Sequence, residues 1–494
     1  MIHISAPTDD IGIAVLAETA RATATQHGGG AEAAALVVRL FAQDARKRHT
    51  VATPDAELHL AIGVDGTELS MELRDQGEPV NAPPPAVLAL VELGLATAAH
   101  GGIDGHGNLL VARVPLPQHG RILDDEGLEI IPEDAPISEE PVELRRLEPD
   151  DAFALTRCIF RCYGWTYAVQ DMYFPDRIAA AVESGKRIGA VAVTPDGEIA
   201  AHHGMSFVAD GVVESGGAVT DPRFRGRNLM LQLFAINQGR SEELGIRSVM
   251  SRPVLTHGVT QRLALGRGSY VMGMFLDAAG PVQQVGFTDG MIDHRMSYGV
   301  TFQTYAPLEP ATLSIPTRYQ EIARHVLGAT EYPLAIGEPQ SGLEVPTTSV
   351  IGSSYDANKQ AGVITVTTVG ADLLVELDHI LDQLRAAGAE MVLVYLPADQ
   401  PALATVGAGL PSERLAYAAI LPAFGELGNA LILQWLRNPA VDDSQFSYGD
   451  DQYRVLTRMI IDQAIALGSQ EASQRLRRAR REQLLALLPD DSGS

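Results

Sequence analysis

The nine residues Val219-Thr220-Asp221-Pro222-Arg223-Phe224-Arg225-Gly226-Arg227, with Asn228 behind them, join a strand pattern to an apolar helix pattern, Leu229–Leu244, that Gly245 stops. Upstream, Ile188–Thr194, Glu198–Val208 and Val212–Thr220 read as three successive antiparallel strands, with Asp196-Gly197 and Asp210-Gly211 as the tight turns between them. A strand that feeds a glycine-containing loop opening a helix leaves backbone N–H groups unpaired, and the helix dipole adds positive potential there. That combination predicts an anion site, to which Arg223, Arg225 and Arg227 add charge.

Working outward, the pattern continues with a strand at Ser248–Arg252, a helix at Val259–Leu265 and the turn Gly266-Arg267-Gly268. Upstream stand the helix Asp150–Tyr163 and the aromatic segments Tyr163-Gly164-Trp165-Thr166-Tyr167 and Met172-Tyr173-Phe174-Pro175. This order of elements, with its V-x-x-P-x-x-R-G-R loop, resembles motifs A and B of the GNAT acyltransferases. The resemblance implies acetyl-CoA or another acyl-CoA as cofactor. Its contacts would come from Ala218, Val219, Thr220, Arg223, Arg225, Gly226, Arg227 and Asn228, with Gln261 on the following helix. It also implies an acceptor site walled by Tyr163, Trp165, Tyr167, Tyr173 and His203, with Glu214 as the catalytic base. Two departures stand out. Asn228 and Met230 occupy the small positions of the family's Arg/Gln-x-x-Gly-x-Gly/Ala pattern, and Ala264 occupies the position of its motif B tyrosine. Tyr270 is therefore the candidate acid. Strand alternation predicts Glu214 on one face of the sheet and Ser215, Gly217 and Val219 on the other. The neighbours His202 and His203 must face opposite sides, so they cannot share a metal, and Cys158 and Cys162, one helical turn apart, read as core.

The flanks divide the chain into an α/β (α+β) succession: an α/β sandwich over residues 1–118, an acidic linker at 119–141 and the loop-bearing mixed-sheet domain at 142–285. A connecting segment at 286–345, a second mixed-sheet domain at 346–440 and a helical tail at 441–494 follow. Arg121–Pro141 holds eight carboxylates and three prolines, which marks the linker. In the first unit, Glu68–Asp75-Gln-Gly77 and the strand after Gly107 resemble the GHKL ATPase fold of anti-sigma-factor kinases. That resemblance implies ATP recognised by Asp75, with Gly77 beside it. The family's first-box Glu and Asn are missing from Ala34–His49 and its Gly-x-Gly lid from Pro85–Gly102, which predicts a degenerate module. The unit at 346–440 resembles a second GNAT half whose loop, Val369-Gly370-Ala371, carries no arginine, which predicts a wall and not a working site.

The 494 residues carry a formal net charge of −25, which argues against a nucleic-acid or anionic-membrane binder. Two cysteines give no disulfide framework, and no signal peptide or membrane span is read, so a cytoplasmic location is expected. The basic stretch Gln474–Arg481 carries an apolar stripe from Leu476 to Leu487, which predicts docking on the protein's own acidic surface or on a second copy in a homodimer. The functional expectation is transfer of an acyl group to an amine of a small molecule or protein. The alternative is a non-catalytic regulator that senses acyl-CoA or nucleotide and binds a protein partner.

Overall fold

In the computed structural model the described residues are 2–27, 30–48, 56–65, 68–80, 82–92, 95–103, 107–116, 129–164, 166–288, 292–340, 342–356 and 359–486. The first part is built from β1 (Ile2–Pro7), α1 (Asp10–Gln26), α2 (Ala31–Arg48), β2 (Glu57–Asp65), β3 (Glu68–Asp75), α3 (Pro85–Glu92), β4 (Thr97–Ile103) and β5 (Gly107–Pro115). Asp9 caps α1 by accepting from Gly12 N at 2.7 Å. Strict alternation of buried Leu69, Met71 and Leu73 gives β3 its inner face, on which α2 lies. The strands pair antiparallel in the order β1-β2-β3-β5-β4. Two of them depart from expectation. β1 was not anticipated, and the helix expected over Val87–Ala98 ends at Glu92, with Thr97–Ile103 pairing along β5 instead. A short apolar run has no periodicity that separates helix from strand, so the partner strand decides.

All but two of the remaining strands form one sheet of twelve. Its first half comprises β6 (Glu143–Arg146), α4 (Ala152–Tyr163), α5 (Pro175–Glu183), β7 (Arg187–Val193), β8 (Ile199–Ala209), β9 (Val212–Thr220), α6 (Leu229–Glu243), β10 (Ser248–Ser251), α7 (Val259–Leu265), β11 (Tyr270–Ala279) and β12 (Met296–Thr304). Between the halves lie the two-stranded β13 (Ala311–Leu313) and β14 (Leu334–Ile336) with α8 (Gln320–Gly328). The second half comprises β15 (Val350–Asp356), β16 (Ala361–Thr368), α9 (Leu373–Ala386), β17 (Met391–Pro397), α10 (Ala402–Val406), β18 (Ala416–Leu421) and β19 (Ala430–Leu436). The helix α11 (Asp451–Ala486) closes the described chain; the basic stretch lies within it, but its side chains are outside those described. No helix of the described residues is long and apolar enough to cross a membrane.

The strand order is β15-β16-β17-β19-β18-β11-β12-β10-β9-β8-β7-β6. Every neighbour is antiparallel except β9 with β10 and β16 with β17. The order β9-β10-β12-β11, with its two helices, thus recurs as β16-β17-β19-β18, and the equivalent strands β11 and β18 meet at the seam. β12 corrects the expectation that 286–345 is only a connection: residues 296–304 sit inside the sheet between β10 and β11. α4 and α5 cover one face of the first half, and α6 covers the other. The sheet curls strongly. β8 and β18 are five strand spacings apart, about 24 Å if flat, yet a methyl placed on Gly425, just after β18, would stand 2.7 Å from Ala209 Cβ at the β8–β9 hairpin.

The seam leaves no space for a side chain at Gly273. A methyl there would stand 1.8 Å from Ala418 O, while Gln434 Nε2 donates to Met274 O at 3.2 Å and Tyr417 Oη to Met272 O at 3.0 Å. Gly273→Val should therefore part β11 from β18 and lower stability by at least about 1–3 kcal/mol, read as a fall in the thermal unfolding midpoint. An unchanged midpoint would show that the seam does not hold the halves together.

Candidate functional site

The parallel pair β9 and β10 is bonded only from Val212↔Ser248 to Ser215↔Ser251, and then the strands part. β10 cannot continue alongside, because Pro253 has no N–H to give. Its continuation turns to β12 instead, with Gly299 N donating to Pro253 O at 2.8 Å and Leu255 N to Ser297 O at 3.0 Å. β9 runs on from Gly216 to Thr220 paired only with β8, so Ala218 is exposed although its strand is central. A slot with a free strand edge results. Gly217, at φ +64°, makes a bulge opposite His203. The bulge breaks the simple alternation: Val219 packs with Leu155, Ile159 and Cys162 under α4, and not on the opposite face with Ser215 as expected.

The slot runs into the loop 221–228. Gly226 and Asn228 both take left-handed backbone, at φ +76° and +56°, and a side chain on Gly226 would meet open space. The turn exposes N–H groups in series. From Gly226 through Leu231 no backbone N–H has an acceptor among the described residues, and the first helical bond is Gln232 N to Asn228 O at 3.4 Å. Asn228 thus fills a position that needs αL backbone without closing the loop. The arginines behave differently from expectation. Arg223 is turned back onto the buried Asp221 at 2.8 Å, and Arg227 donates to Ser138 O and Glu140 O of the acidic linker at 3.1 and 2.8 Å. Arg225 makes no ion pair among the described residues: its Nε lies 3.4 Å from Thr220 O and its guanidinium 5.3 Å from the Phe287 ring, with the Glu133 carboxyl beside Gly286. Across the slot, Phe287 also packs on His257 at 4.3 Å, and Thr256 Oγ1, His257 Nδ1 and Thr260 Oγ1 are buried with no partner among the described residues.

The equivalent place in the second half is plugged. Gln400 Nε2 donates to Thr367 O and its Oε1 accepts from Val369 N, each at 2.8 Å, so one side chain satisfies the strand edge. Gly370 N donates to Ser349 Oγ at 2.9 Å and Ala371 N to Pro346 O at 2.8 Å. One loop is open and its counterpart is filled by the chain itself.

Below the slot, Glu214 Oε1 accepts from Arg252 Nε at 2.6 Å and Nη2 at 2.5 Å. Burial works against the Arg252 charge, but Glu214 outweighs it and holds the guanidinium above its usual range. Tyr167, Tyr298 and Tyr395 face this pair; burial pushes the phenols of Tyr298 and Tyr395 up to about 12, against the pull of Arg252. Tyr298 and Tyr395 were not anticipated, since one lies on the unforeseen β12 and the other in the second half, brought over by the curl. Of the expected aromatic wall, Tyr163 and Tyr173 are core. Tyr173 Oη donates to Gly164 O at 2.6 Å and accepts from Tyr167 N at 2.9 Å. Tyr167, Glu214, Arg252, Tyr298 and Tyr395, all partly exposed, border one inner recess, the chamber, and Trp165 lies outside the described residues.

Four expected roles do not fit. His203 faces α6, bonded to Ser215 Oγ at 2.8 Å and Asn237 Nδ2 at 2.7 Å, and its neighbour His202 takes the chamber face. Tyr270 lies three strands from Glu214 along the register Glu214↔Met250↔Phe302↔Tyr270, about 14 Å away, and packs on Tyr332. Gln261 is buried and binds Val254 O, His257 O, Ser447 O and Gly449 N, so it clamps the 447–449 loop and has nothing left for a cofactor. Asp75 is buried under Arg48, which donates at 2.9 and 3.1 Å, and also accepts from Asn108 Nδ2 and Gly77 N. An adenine amino group would have to displace that buried pair, so Asp75 and Gly77 do not form the ATP contact expected of them.

Comparison with protein-family models finds no match, and comparison with the curated proteins finds none. Among solved structures, the paia N-acetyltransferase from Thermoplasma acidophilum in complex with coenzyme A is similar over 33% of this chain and 99% of its own, at 14% identity and TM-score 0.25. The ribosomal-protein-S5-alanine acetyltransferase from Vibrio fischeri aligns over 36% and 100% at 10% identity and TM-score 0.28. An N-acetyltransferase from Staphylococcus aureus Mu50 aligns over 33% and 98% at 15% and 0.26.

Two outcomes follow from the buried charges. Asp221 is fully buried and holds Arg161, itself 4% exposed, at 2.9 Å. Asp221→Asn should cost about 3 kcal/mol, measured by urea unfolding; a loss under half a kcal/mol would contradict a structural ion pair. His202 is buried, and burial followed by the charge of Arg187 lowers its pKa from 6.5 to about 4. Above pH 6.5 neither state is protonated there. Between about 6.5 and 4 only the unfolded chain takes the proton, so stability falls as pH falls, by about 3 kcal/mol in all. A His202→Gln variant should lose less stability than wild type between pH 7 and 4, and an identical acid limb would refute the assignment.

Proposed function

We propose that this protein is an acyl-CoA-dependent N-acyltransferase that moves an acyl group, acetyl as the simplest case, onto an amine. The observation that carries the reading is the continuity of the free β9 edge, Gly216–Thr220, with the unpaired N–H series Gly226–Leu231. An extended pantetheine can pair with the first as a further strand, and a pyrophosphate can sit on the second, at a helix N-terminus. Bound acyl-CoA supplies the activated thioester. The chain's own residues hold and orient. Ala218, Val219 and Thr220 offer backbone groups, Gly226 and Asn228 offer N–H donors, and Arg225 adds a guanidinium that no carboxylate within ion-pair distance holds among the described residues.

The acceptor enters from the α4 face, between Tyr167 and the Glu214–Arg252 pair. Holding the amine against the thioester in this slot supplies much of the rate through proximity. Glu214 is the carboxylate placed to receive the amine's proton, directly or through water. Tyr298 and Tyr395, kept neutral by burial, are the phenols beside it, in the role first expected of Tyr270. The plugged second loop makes the second half a wall that contributes Tyr395. One observation favours a second reading, in which the cleft binds acyl-CoA and signals without transfer: Glu214 is already engaged by Arg252.

Calorimetric titration of acetyl-CoA into the full chain should show one site, and Arg225→Glu should weaken it at least tenfold by placing a carboxylate against the phosphates. Thiol release over a panel of amines then separates transfer from sensing. No binding of any acyl-CoA at millimolar concentration would sink both readings.

A further inference from the structure

The floor of the chamber beneath Tyr167 is made of glycine. Gly189, Gly204 and Gly217 come from the adjacent strands β7, β8 and β9, and each would bring a methyl within 2.9–3.2 Å of the His202 ring. The same positions define where Arg187 goes. A methyl on Gly204 would stand 3.3 Å from Arg187 Nη1, and one on Gly217 3.8 Å. The Arg187 side chain therefore leaves the start of β7 and lies across the glycine floor to the bulge of β9. Its backbone shares a register row with Ser206 and Glu214. Its charge reaches His202 and Tyr167, which places it on the chamber face.

Arg187 is half-buried and has no ion pair and no side-chain hydrogen bond among the described residues. The carboxylates near it are engaged elsewhere: Glu214 by Arg252, and Asp151 by Arg145 at 2.6 Å through both oxygens. The imidazole beside it, held neutral, does not compensate the charge. A guanidinium is permanently charged and its planar fork matches a carboxylate, so a partly desolvated, unpartnered one in a cleft calls for an anion from outside. That anion is not the cofactor's pyrophosphate. From Gly217, where the Arg187 guanidinium lies, to Thr220 is three residues of strand, about 10 Å at 3.3 Å each, and the anion loop begins beyond. Glu214 Oε1 stands 3.9 Å from a methyl on Gly216, and Arg187 serves Gly217. The Glu214 carboxylate and the Arg187 guanidinium thus stand over neighbouring residues of one strand, Gly216 and Gly217, so a partner for an amine and a partner for a carboxylate lie along the same stretch of β9.

We propose that Arg187 binds the carboxylate of the acceptor, so that the acceptors of this chamber are amino acids or similar small amino-carboxylates. The proposal rests on the acyl-transfer reading for its use, but not for its test. L-alanine, L-phenylalanine and L-glutamate, each beside its α-carboxamide, are titrated into the full chain by ligand-observed NMR, with acetyl-CoA titrated separately into the same protein. At least one amino acid should bind tenfold or more tightly than its carboxamide. Arg187→Gln should erase that preference, and Arg187→Lys should restore part of it. Equal binding of acid and amide by wild type, a preference that survives Arg187→Gln, or no binding of any member would overturn the proposal. Binding of amino acids without any binding of acetyl-CoA would uphold the Arg187 site and sink the transferase alone.

Discussion

The parting of β9 from β10 after Ser215 and Ser251 is the constraint on which the rest of the site depends. A parallel pair inside a sheet normally stays bonded to its ends, because each unpaired N–H or C=O in the interior costs free energy. Here the loss is arranged. Pro253 removes a donor from one bank, the Gly217 bulge shifts the other, and β12 takes up the groups of β10 that would otherwise be stranded. What is left unpaired is one strand edge and one loop, both opening into the same slot. In the second half the same topology leaves no such open edge, because there Gln400 and Ser349 satisfy the equivalent groups from within.

Two chemically different spaces lie along this slot, and the curl of the sheet separates them. At the loop end, backbone N–H groups and Arg225 make a positive mouth, bordered by linker carbonyls that hold Arg227 and by Phe287. At the bulge end the side chains are paired carboxylate and guanidinium, neutral phenols and the glycine floor. Tyr395 reaches this inner space only because the sheet bends far enough to set Gly425 against Ala209. A flat sheet of the same order would leave Glu214 and Arg252 open to water, where an ion pair is worth little and orients little. The second half therefore acts on the site through curvature.

Much of the central fold is legible in the sequence because its signals are local. Aspartate–glycine turns bound the hairpins, and a glycine loop opens a helix that ends at Gly245. The unpaired loop and the left-handed Asn228 were readable for the same reason. Side-chain directions were not. A single bulged residue moved Val219 to the other face, and the choice between His202 and His203 depends on which helix covers which face. The loop arginines, counted as phosphate ligands from their charge, are mostly consumed by Asp221 and by carbonyls 87 and 89 residues upstream. Gln261 is likewise taken by residues 186 and 188 positions away. Such partners are set by tertiary approach, which no spacing rule reports. β12 was hidden because a strand inside a sheet needs only a short apolar run, and 286–345 carries enough prolines to read as connection.

Asp221 shows how the two ends of the slot are held in one frame. Its carboxylate is fully buried and receives Arg161 from the last turn of α4 and Arg223 from the loop itself. Arg161 also holds Glu198 at 2.5 Å, at the turn before β8. Two residues after Arg161 comes Tyr163, then the aromatic loop whose Tyr167 roofs the chamber and whose backbone is fixed by the buried Tyr173 hydroxyl. Buried ion pairs are poor sources of stability, because desolvation offsets most of the Coulomb gain, but breaking one is costly. Their effect is to forbid alternatives. The loop cannot shift without stranding a charge, and α4 cannot shift without moving the roof. The loop mouth and the chamber therefore keep a fixed relative position, which the proposed transfer from a thioester at one to an amine at the other requires.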